Sequence, residues 1–208
     1  FRVVVQEPFK PQPLDRGTQE HALLQSNHFS RFHRVSGILS DGYLCAGKNA
    51  VHGPDGLPLN RLSREVIVVD RLNDPVLRRT IAEAKYLFGT FEPEQRAEHL
   101  NKWVRELMKP PNMNEVELNA WSMAMRSQLK GERIPLGDLI VEGKGVCRHQ
   151  ALLMKVLCDE LGLKATLIRG SMHQNGDPTH AWVEIELPKE VRPRVYDSRN
   201  RINGAPYN

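Results

Sequence analysis

The stretch GKGVCRHQALLMKVLCDELGLKATLIRG, residues 143–170, decides how this 208-residue chain folds. It begins with a glycine-rich turn and continues with apolar residues at helical spacing, which predict an amphipathic helix starting at about Cys147. The apolar face carries Ala151, Met154, Leu157, Cys158 and Leu161. Gly162 ends this helix, because glycine readily adopts the left-handed conformation found at helix C-termini. The run KATLIRG that follows predicts a strand.

The position of Cys147 indicates chemistry rather than packing. At the first residue of a helix, backbone N–H groups and the positive end of the helix dipole stabilise a thiolate. Cys147 is therefore predicted to be a nucleophile. Cys158, in the middle of the apolar face, is predicted to be structural. His149 lies two residues after Cys147, so its side chain is expected to point away from the cysteine and to pack or hydrogen-bond.

Three more helices are predicted upstream of this stretch. The first begins at Asp74-Pro75, where a capping side chain precedes a proline in the first turn. The second begins at Pro93. The third begins at Asn114, and Glu117 three residues later completes the pattern of a capping box. Apolar residues recur at helical spacing in all three, which indicates one buried face on each helix.

Strand-like runs occur on both sides of these helices. REVIVVD (residues 64–70) precedes them, while HAWVEIEL, beginning at His180, and PRVYDS, beginning at Pro193, follow the central stretch. Helices followed by neighbouring strands are typical of an α+β fold. We therefore expect the helices to pack on one side of a mainly antiparallel sheet.

The first 62 residues differ in character from the remainder. They are rich in Pro, Gly, His and Asn and contain turn signals, so residues 1–62 are predicted to be an irregular N-terminal arm or extension. Residues 63–208 are predicted to form the catalytic domain. The chain begins with Phe1 and shows no signal-peptide pattern, which suggests a fragment or a processed piece of a longer protein.

Composition excludes several classes of function. Hydrophobic residues make up 40% and charged residues 26%, and no apolar run reaches the roughly 18 residues of a membrane span. The net charge of +4 is spread along the chain without a basic block, so no nucleic-acid partner is predicted. Three cysteines are too few for a disulfide framework, which predicts the cytoplasm or another reducing compartment.

His180 and Asp197 are the residue types that a thiol nucleophile requires. Each lies at the end of a predicted strand, so adjacent antiparallel strands could bring the two side chains together, with the helix presenting Cys147 to the imidazole. The histidine would accept the thiol proton, and the carboxylate would hold the imidazole in the correct tautomer. We therefore predict a catalytic triad of Cys147, His180 and Asp197.

The motifs GVCRHQALLMKVLCDELGLKATLIRG, HAWVEI and VYD resemble the transglutaminase-like branch of the papain-type cysteine enzymes. They are most similar to the form attached to plant disease-resistance kinases, and the resemblance extends over roughly residues 62–200. It implies a papain/transglutaminase-like core and an acyl-enzyme formed by Cys147 on an amide. The motif departs from the Cys-Trp pattern of many animal transglutaminases. It also lacks an acidic calcium loop, so no calcium dependence is implied.

Residues around the triad are candidates for binding a substrate or stabilising an intermediate. Trp182, Arg148 and His173 are predicted to contact substrate, although packing or loop roles explain them as well. The Cys147 backbone N–H is the first candidate donor to an oxyanion. For a second donor, the preceding helix offers Asn119, Trp121 and Gln128. No cofactor is predicted, and no metal site either, because paired CxxC or HExxH spacing is missing.

Two classes of function are compatible with these residues. The first is an enzyme that transfers acyl groups from protein glutamine side chains, with an amine acceptor in a transglutaminase or water in a deamidase; a cysteine peptidase or amidase would use the same triad. The second is a non-catalytic module that binds other proteins. The protein partner would accordingly present a glutamine or a peptide bond. Delivery as a secreted effector that works in another cell's cytosol is left open.

Overall fold

The computed structural model describes residues 32–45, 65–109, 112–129, 132–170, 180–188, 190–200 and 202–206. These residues form helices α1 (Pro75–Phe88), α2 (Pro93–Met108), α3 (Glu115–Gln128), α4 (Leu136–Glu142) and α5 (Cys147–Glu160). They also form strands β1 (Phe32–Val35), β2 (Tyr43–Cys45), β3 (Val66–Val69), β4 (Arg133–Pro135), β5 (Lys164–Gly170), β6 (His180–Glu186), β7 (Arg194–Asp197) and β8 (Ile202–Pro206). Within these ranges, no helix is long and apolar enough to cross a membrane.

The larger sheet has the strand order β1-β5-β6-β7-β8, and all its neighbouring strands are antiparallel. In β6, Ala181, Val183 and Ile185 join the main core, whereas Trp182 belongs to a small second cluster. Successive side chains of a strand point to opposite faces, so the main core lies on one face of this sheet and the second cluster on the other.

Helices α5 and α2 pack on the core face of the larger sheet. Helix α5 lies against β5 and β6, and α2 lies against β7 and β8. Leu152, Leu153 and Leu157 of α5 are fully buried, which explains why this helix is apolar over more than one stripe. The predicted α+β fold, with helices on one side of a mainly antiparallel sheet, is confirmed.

A smaller sheet of three strands, in the order β2-β3-β4, lies beside the helices. Strand β3, predicted from the REVIVVD run, is its central strand and pairs antiparallel with β2 and parallel with β4. Its residues Val66, Ile67 and Val69 are fully buried, as a continuous β-branched run predicts. Every strand of this sheet has three or four residues, too few to show a clear alternating pattern.

The predicted helix starts are confirmed. Asp74 caps α1 by accepting hydrogen bonds from the backbone N–H groups of Val76 and Leu77, with Pro75 in the first turn. Asn114 and Glu117 form the predicted capping box of α3. These features were predictable because each depends on residues no more than four positions apart.

Within the predicted N-terminal arm, residues 32–45 supply strands β1 and β2. Strand β1 pairs with β5 in the larger sheet, and β2 pairs with β3 in the smaller one. These two strands are short, and their stability comes from partners distant in sequence rather than from a local pattern. The division at residue 62 stays a prediction, since most of residues 1–62 lie outside the described part of the chain.

Candidate active site

Cys147 is the first residue of α5, and Val146, the N-cap, separates it from the turn Gly143-Lys144-Gly145. Gly143 adopts the left-handed conformation (φ 64°) that ends α4. Gly145 passes so close to neighbouring side chains that a Cβ there would lie 3.1 Å from His149 Cβ and 3.2 Å from Met108 Cβ. Glycine at these two positions lets the chain turn sharply into α5 and place the half-buried thiol at the helix start.

His180 begins β6 and lies opposite the end of β7, where Asp197 is located. The imidazole Nε2 is 2.5 Å from Oδ2 of Asp197, a carboxylate with 1% of its side chain exposed. The side-chain amide of Asn200 also approaches this nitrogen, with Nδ2 3.2 Å away. Because Nε2 faces the carboxylate, Nδ1 is the ring nitrogen that remains for the thiol.

The thiol of Cys147 hydrogen-bonds to His180, and this contact links their ionisation. Burial disfavours the thiolate, but the His180 imidazole, the charge of Arg199 and the Ala181 N–H together lower the pKa of Cys147 below its ordinary value. Burial also disfavours the imidazolium. The hydrogen bonds and charges of Asp197 and Cys147 nevertheless raise the pKa of His180 to about 9. These opposite shifts favour a thiolate–imidazolium pair.

The turn from Asp197 to Asn200 is held by its own hydrogen bonds and by two helices. Oδ1 of Asp197 accepts the backbone N–H groups of Arg199, at 3.1 Å, and Asn200, at 3.2 Å. The Ser198 hydroxyl donates to the buried Asn101 of α2, 2.7 Å away. One oxygen of Asp197 therefore holds the turn while the other holds the imidazole, which leaves the carboxylate little rotational freedom.

Arg199 connects this turn with α3. Its guanidinium donates to Oδ1 of Asn119 at 2.8 Å, and its positive charge acts on the Cys147 thiol. Asn119, one of the predicted oxyanion donors, is thereby placed on the border of the site. Trp121 donates its indole N–H to Glu142 at 2.9 Å, and the third candidate, Gln128, is exposed at the end of α3.

The three predicted catalytic residues are thus brought together from α5, β6 and β7. Trp182 contacts the His180 imidazole itself: the two rings are nearly parallel, with centroids 6.1 Å apart, and the indole is 3% exposed. This placement supports the orientation of His180. His173 lies outside the described residues.

The Arg148 side chain is buried inside the protein. Its side chain is 4% exposed and forms an ion pair with Glu65, also donating to the Cys45 carbonyl at 2.8 Å. Because its guanidinium is already paired inside the protein, Arg148 is better explained by a structural role than by the predicted contact with substrate. His149 is fully buried and, as expected, points away from Cys147; it hydrogen-bonds to Glu65 at 3.0 Å.

Glu65, Asn200 and Arg199 were not identified as site residues from the sequence. Arg199 and Asn200 lie two and three residues after Asp197. Polar residues in the loop that follows a predicted catalytic carboxylate could have identified them as candidate site residues. Glu65 offered no such signal, because it is 82 positions from Cys147 in the sequence (147 − 65). In the described part of the chain, no group of three or more His, Cys, Asp or Glu side chains could hold a metal ion.

Comparison with known protein families gives the identity of this domain. The family model described as EDR1/CTR1/ARMC3, peptidase-like, matches residues 55–193, more than half of the chain. The chain belongs to the EDR1/CTR1/ARMC3 peptidase-like family. The matched region contains Cys147 and His180 and ends four residues before Asp197.

Relatives of this peptidase-like domain are much longer proteins. The chain is 35% identical over 66 residues to the probable serine/threonine-protein kinase SIS8 of Arabidopsis thaliana. It is 32% identical over 107 residues to human armadillo repeat-containing protein 3. These matches cover 30% and 49% of the chain, but 6% and 11% of the relatives. The domain therefore spans a small part of the proteins it resembles.

A solved structure of a candidate cysteine protease from Cytophaga hutchinsonii is similar over 62% of this chain and 40% of its own, with a TM-score of 0.41 and 21% identity. The predicted resemblance to papain-type enzymes, in the branch attached to plant kinases, is confirmed by the peptidase-like family and by the plant kinase relative. Glutamine as the acyl donor is a finer statement, and it remains a proposal.

Proposed function

We propose that this peptidase-like domain is a cysteine-dependent enzyme that forms a thioester acyl-enzyme at an amide carbonyl of a protein substrate. The observation that supports this most directly is the hydrogen-bonded series Cys147–His180–Asp197, with the thiol at a helix N-terminus. A buried structural thiol would have neither a histidine partner nor a lowered pKa. Cys158, on the same helix, is the contrast: burial raises its pKa.

The reaction follows from the protonation states of the pair. The Cys147 thiolate attacks the amide carbonyl carbon, and the resulting oxyanion is stabilised by the Cys147 backbone N–H at the start of α5. The His180 imidazolium gives its proton to the leaving nitrogen, the C–N bond breaks and a thioester remains. Water or an amine then attacks the thioester and gives a proton to His180, which releases the thiolate.

The amide that is attacked defines the activity. The transglutaminase-like motifs favour the side-chain amide of a protein glutamine, which releases ammonia and gives a deamidated or an amine-linked product. Peptide-bond cleavage is the second candidate, and the peptidase-like description of the family supports it. Either reaction needs a reduced thiol, which suits the cytoplasm or another reducing compartment.

The test is alkylation of Cys147 with a low dose of iodoacetamide between pH 5 and 9, followed by intact-mass and peptide analysis. An activated thiol is labelled well below its ordinary titration near 8.5, and this early labelling is lost in His180→Ala. Cys45 and Cys158 are internal controls, because they are 1% and 0% exposed and should react only on unfolding.

Labelling of Cys147 that follows ordinary thiol titration, or that does not depend on His180, would contradict an enzymatic role. The domain would then be better explained as a module that binds other proteins. If the thiol is activated, two assays distinguish the candidate amides: ammonia release or amine incorporation with glutamine peptides, and cleavage of peptide bonds in the same peptides. Cys147→Ala is the control in both assays.

A further inference from the structure

A buried group of charged and polar side chains lies behind the nucleophile. The Glu65 cluster consists of Glu65, Arg148 and His149, with 1%, 4% and 0% of each residue exposed. One oxygen of the Glu65 carboxylate, Oε1, contacts both partners: it forms an ion pair with Arg148 and lies 3.0 Å from His149 Nε2. Two of the three members directly follow Cys147 in the sequence.

The cluster connects the smaller sheet to the first turn of α5. The Arg148 guanidinium donates to the Cys45 carbonyl of β2 at 2.8 Å and to the Glu65 carbonyl, just before β3, at 3.3 Å. On its other side, His149 Nδ1 accepts the backbone N–H of Val146 at 3.4 Å. The backbone on both sides of Cys147 is thus tied to the protein interior.

These contacts also define the charges within the cluster. Because Nδ1 of His149 accepts a hydrogen bond, Nε2 carries the proton and donates it to Glu65. Burial disfavours the Glu65 carboxylate, but the hydrogen bond from His149 and the charge of Arg148 outweigh this and lower its pKa to about 2. The carboxylate therefore stays ionised at every pH at which the enzyme would work.

We propose that the Glu65 cluster positions Cys147, so that its thiol meets His180 and its backbone N–H meets the oxyanion. The inference rests on the proposed function, since it concerns the same thiol. Cys147 belongs to α5, whereas His180 and Asp197 belong to the larger sheet. The smaller sheet, through Glu65, fixes where the helix begins relative to the imidazole. Glu65 is a positioning residue, because it acts through Arg148 and His149 and does not itself contact the thiol.

A geometric requirement supports this assignment. The thiol–imidazole contact operates over a hydrogen-bond distance, and a displacement of about 1 Å weakens such catalytic contacts severely. Three charged groups outside α5 stabilise the Cys147 thiolate. They are His180 of β6, Asp197 of β7, which acts through that histidine, and Arg199 of the turn after β7. Movement of the α5 start would weaken all three effects together.

The experiment compares Glu65→Met with Glu160→Met. Glu160 also forms ion pairs, with Arg71 and Lys85 each 2.7 Å away, and its side chain is 8% exposed, but it lies at the opposite end of α5. Both variants remove a buried carboxylate from an ion pair, so both should lower the melting temperature. We expect Glu65→Met alone to shift the pH profile of Cys147 alkylation upward by about one pH unit, which is about a tenfold lower rate at pH values below the pKa of the thiol.

Two further variants complete the design. Glu65→Gln keeps one oxygen acceptor, so its pH profile of Cys147 alkylation should lie between those of the wild type and Glu65→Met. If Glu65→Met fails to fold, the double variant Glu65→Met/Arg148→Met removes both charges, which avoids an uncompensated buried guanidinium. Because it still lacks the contacts to Cys45 and His149, this double variant should fold and show the shifted profile.

The possible results separate the two proposals. If Cys147 alkylation in Glu65→Met, or in the folded double variant, follows the wild-type pH profile, the positioning role is overturned. The evidence for an activated thiol in the wild type would not be affected. An equal shift in Glu160→Met would also overturn it, because general destabilisation would then explain the effect. If wild-type Cys147 itself titrates as an ordinary thiol, the proposed function fails, and the positioning role fails with it.

Discussion

At His180, one imidazole lies between a thiol and a carboxylate, and this placement controls the protonation of the site. The Cys147 pKa is lowered and the His180 pKa is raised to about 9, so thiolate and imidazolium coexist over a range of pH that ends near 9. Below this range the thiol is protonated, and above it the imidazole is neutral. Either change in protonation removes one of the two reacting groups that the proposed acyl transfer requires.

This ionisation predicts a bell-shaped dependence of turnover on pH. The rate should rise as Cys147 ionises and should fall above pH 9, because neutral His180 cannot protonate the leaving nitrogen. The measurement is the initial rate of ammonia release or peptide cleavage between pH 5 and 10.5, whichever reaction is observed. A rate that keeps rising through pH 10 would show that no imidazolium is required.

The two side chains next to His180 Nε2 should differ in importance. Asp197→Asn keeps the shape but removes the buried charge, so we expect turnover to fall by about 100-fold or more. Asn200→Ala removes an exposed amide 3.2 Å from the ring, and its effect should be under about tenfold. Turnover of both variants at pH 7 checks this order. Equal losses would indicate that the amide shares the orienting role.

Among the helices, α1 and α4 depend on one capping carboxylate. Oδ1 of Asp74 caps α1, while Oδ2 accepts the backbone N–H of Gly137 in the first turn of α4 at 2.7 Å. A Cβ at Gly137 would lie 2.1 Å from Asp74 Oδ1, so a larger residue there would displace the capping carboxylate. The start of α4 is therefore fixed by a residue 63 positions earlier in the chain.

Asp74→Ala should consequently cost more than the loss of an ordinary cap. The missing cap contributes about 1 kcal/mol, and the buried Gly137 N–H left without its acceptor adds about 1–3 kcal/mol. Asn114→Ala is the matched control, because it removes an exposed cap from α3 and should cost about 1 kcal/mol. Urea unfolding of the two variants gives the comparison. Equal losses would show that the contact with Gly137 contributes nothing.

On the scale of the whole molecule, α5 joins the two sheets and also holds the segment between β1 and β2. Lys155 and Asp159 of α5 form a buried ion pair; Lys155 donates to the Gly37 carbonyl, and Asp159 accepts the Leu39 N–H at 2.9 Å. Burial raises the pKa of Asp159. Residues 32–45 thus satisfy buried polar groups as well as adding strands to both sheets.

A chain beginning at residue 63 should therefore be less stable than one beginning at residue 32. The shorter chain loses β1, β2 and the backbone partners of Lys155 and Asp159, so it leaves polar groups of α5 unsatisfied. Thermal unfolding followed by circular dichroism compares the two. Equal melting temperatures would support the originally predicted boundary at residue 62 and would show that β1 and β2 contribute no stability.

The amino-acid sequence by itself determined the helix starts, the buried faces and strands β3 and β5–β7, and it predicted the three residues of the candidate triad. Each depends on signals within a few residues: the Asp74 and Asn114 caps, the apolar spacing of α5, and the cysteine after a glycine turn. Strands β1, β2, β4 and β8 and helix α4 were not predicted. They have at most seven residues, too few for a reliable period.

Only the tertiary structure decided which distant side chains meet. Glu65 contacts Arg148 across 83 positions, and Asn119 contacts Arg199 across 80. These contacts turned Arg148 from a predicted substrate residue into a buried partner of Glu65, and they placed Asn200 beside His180. The physical reason is that local patterns record backbone preference and burial, whereas the partner of a buried charge is chosen by packing between elements that are far apart in the chain.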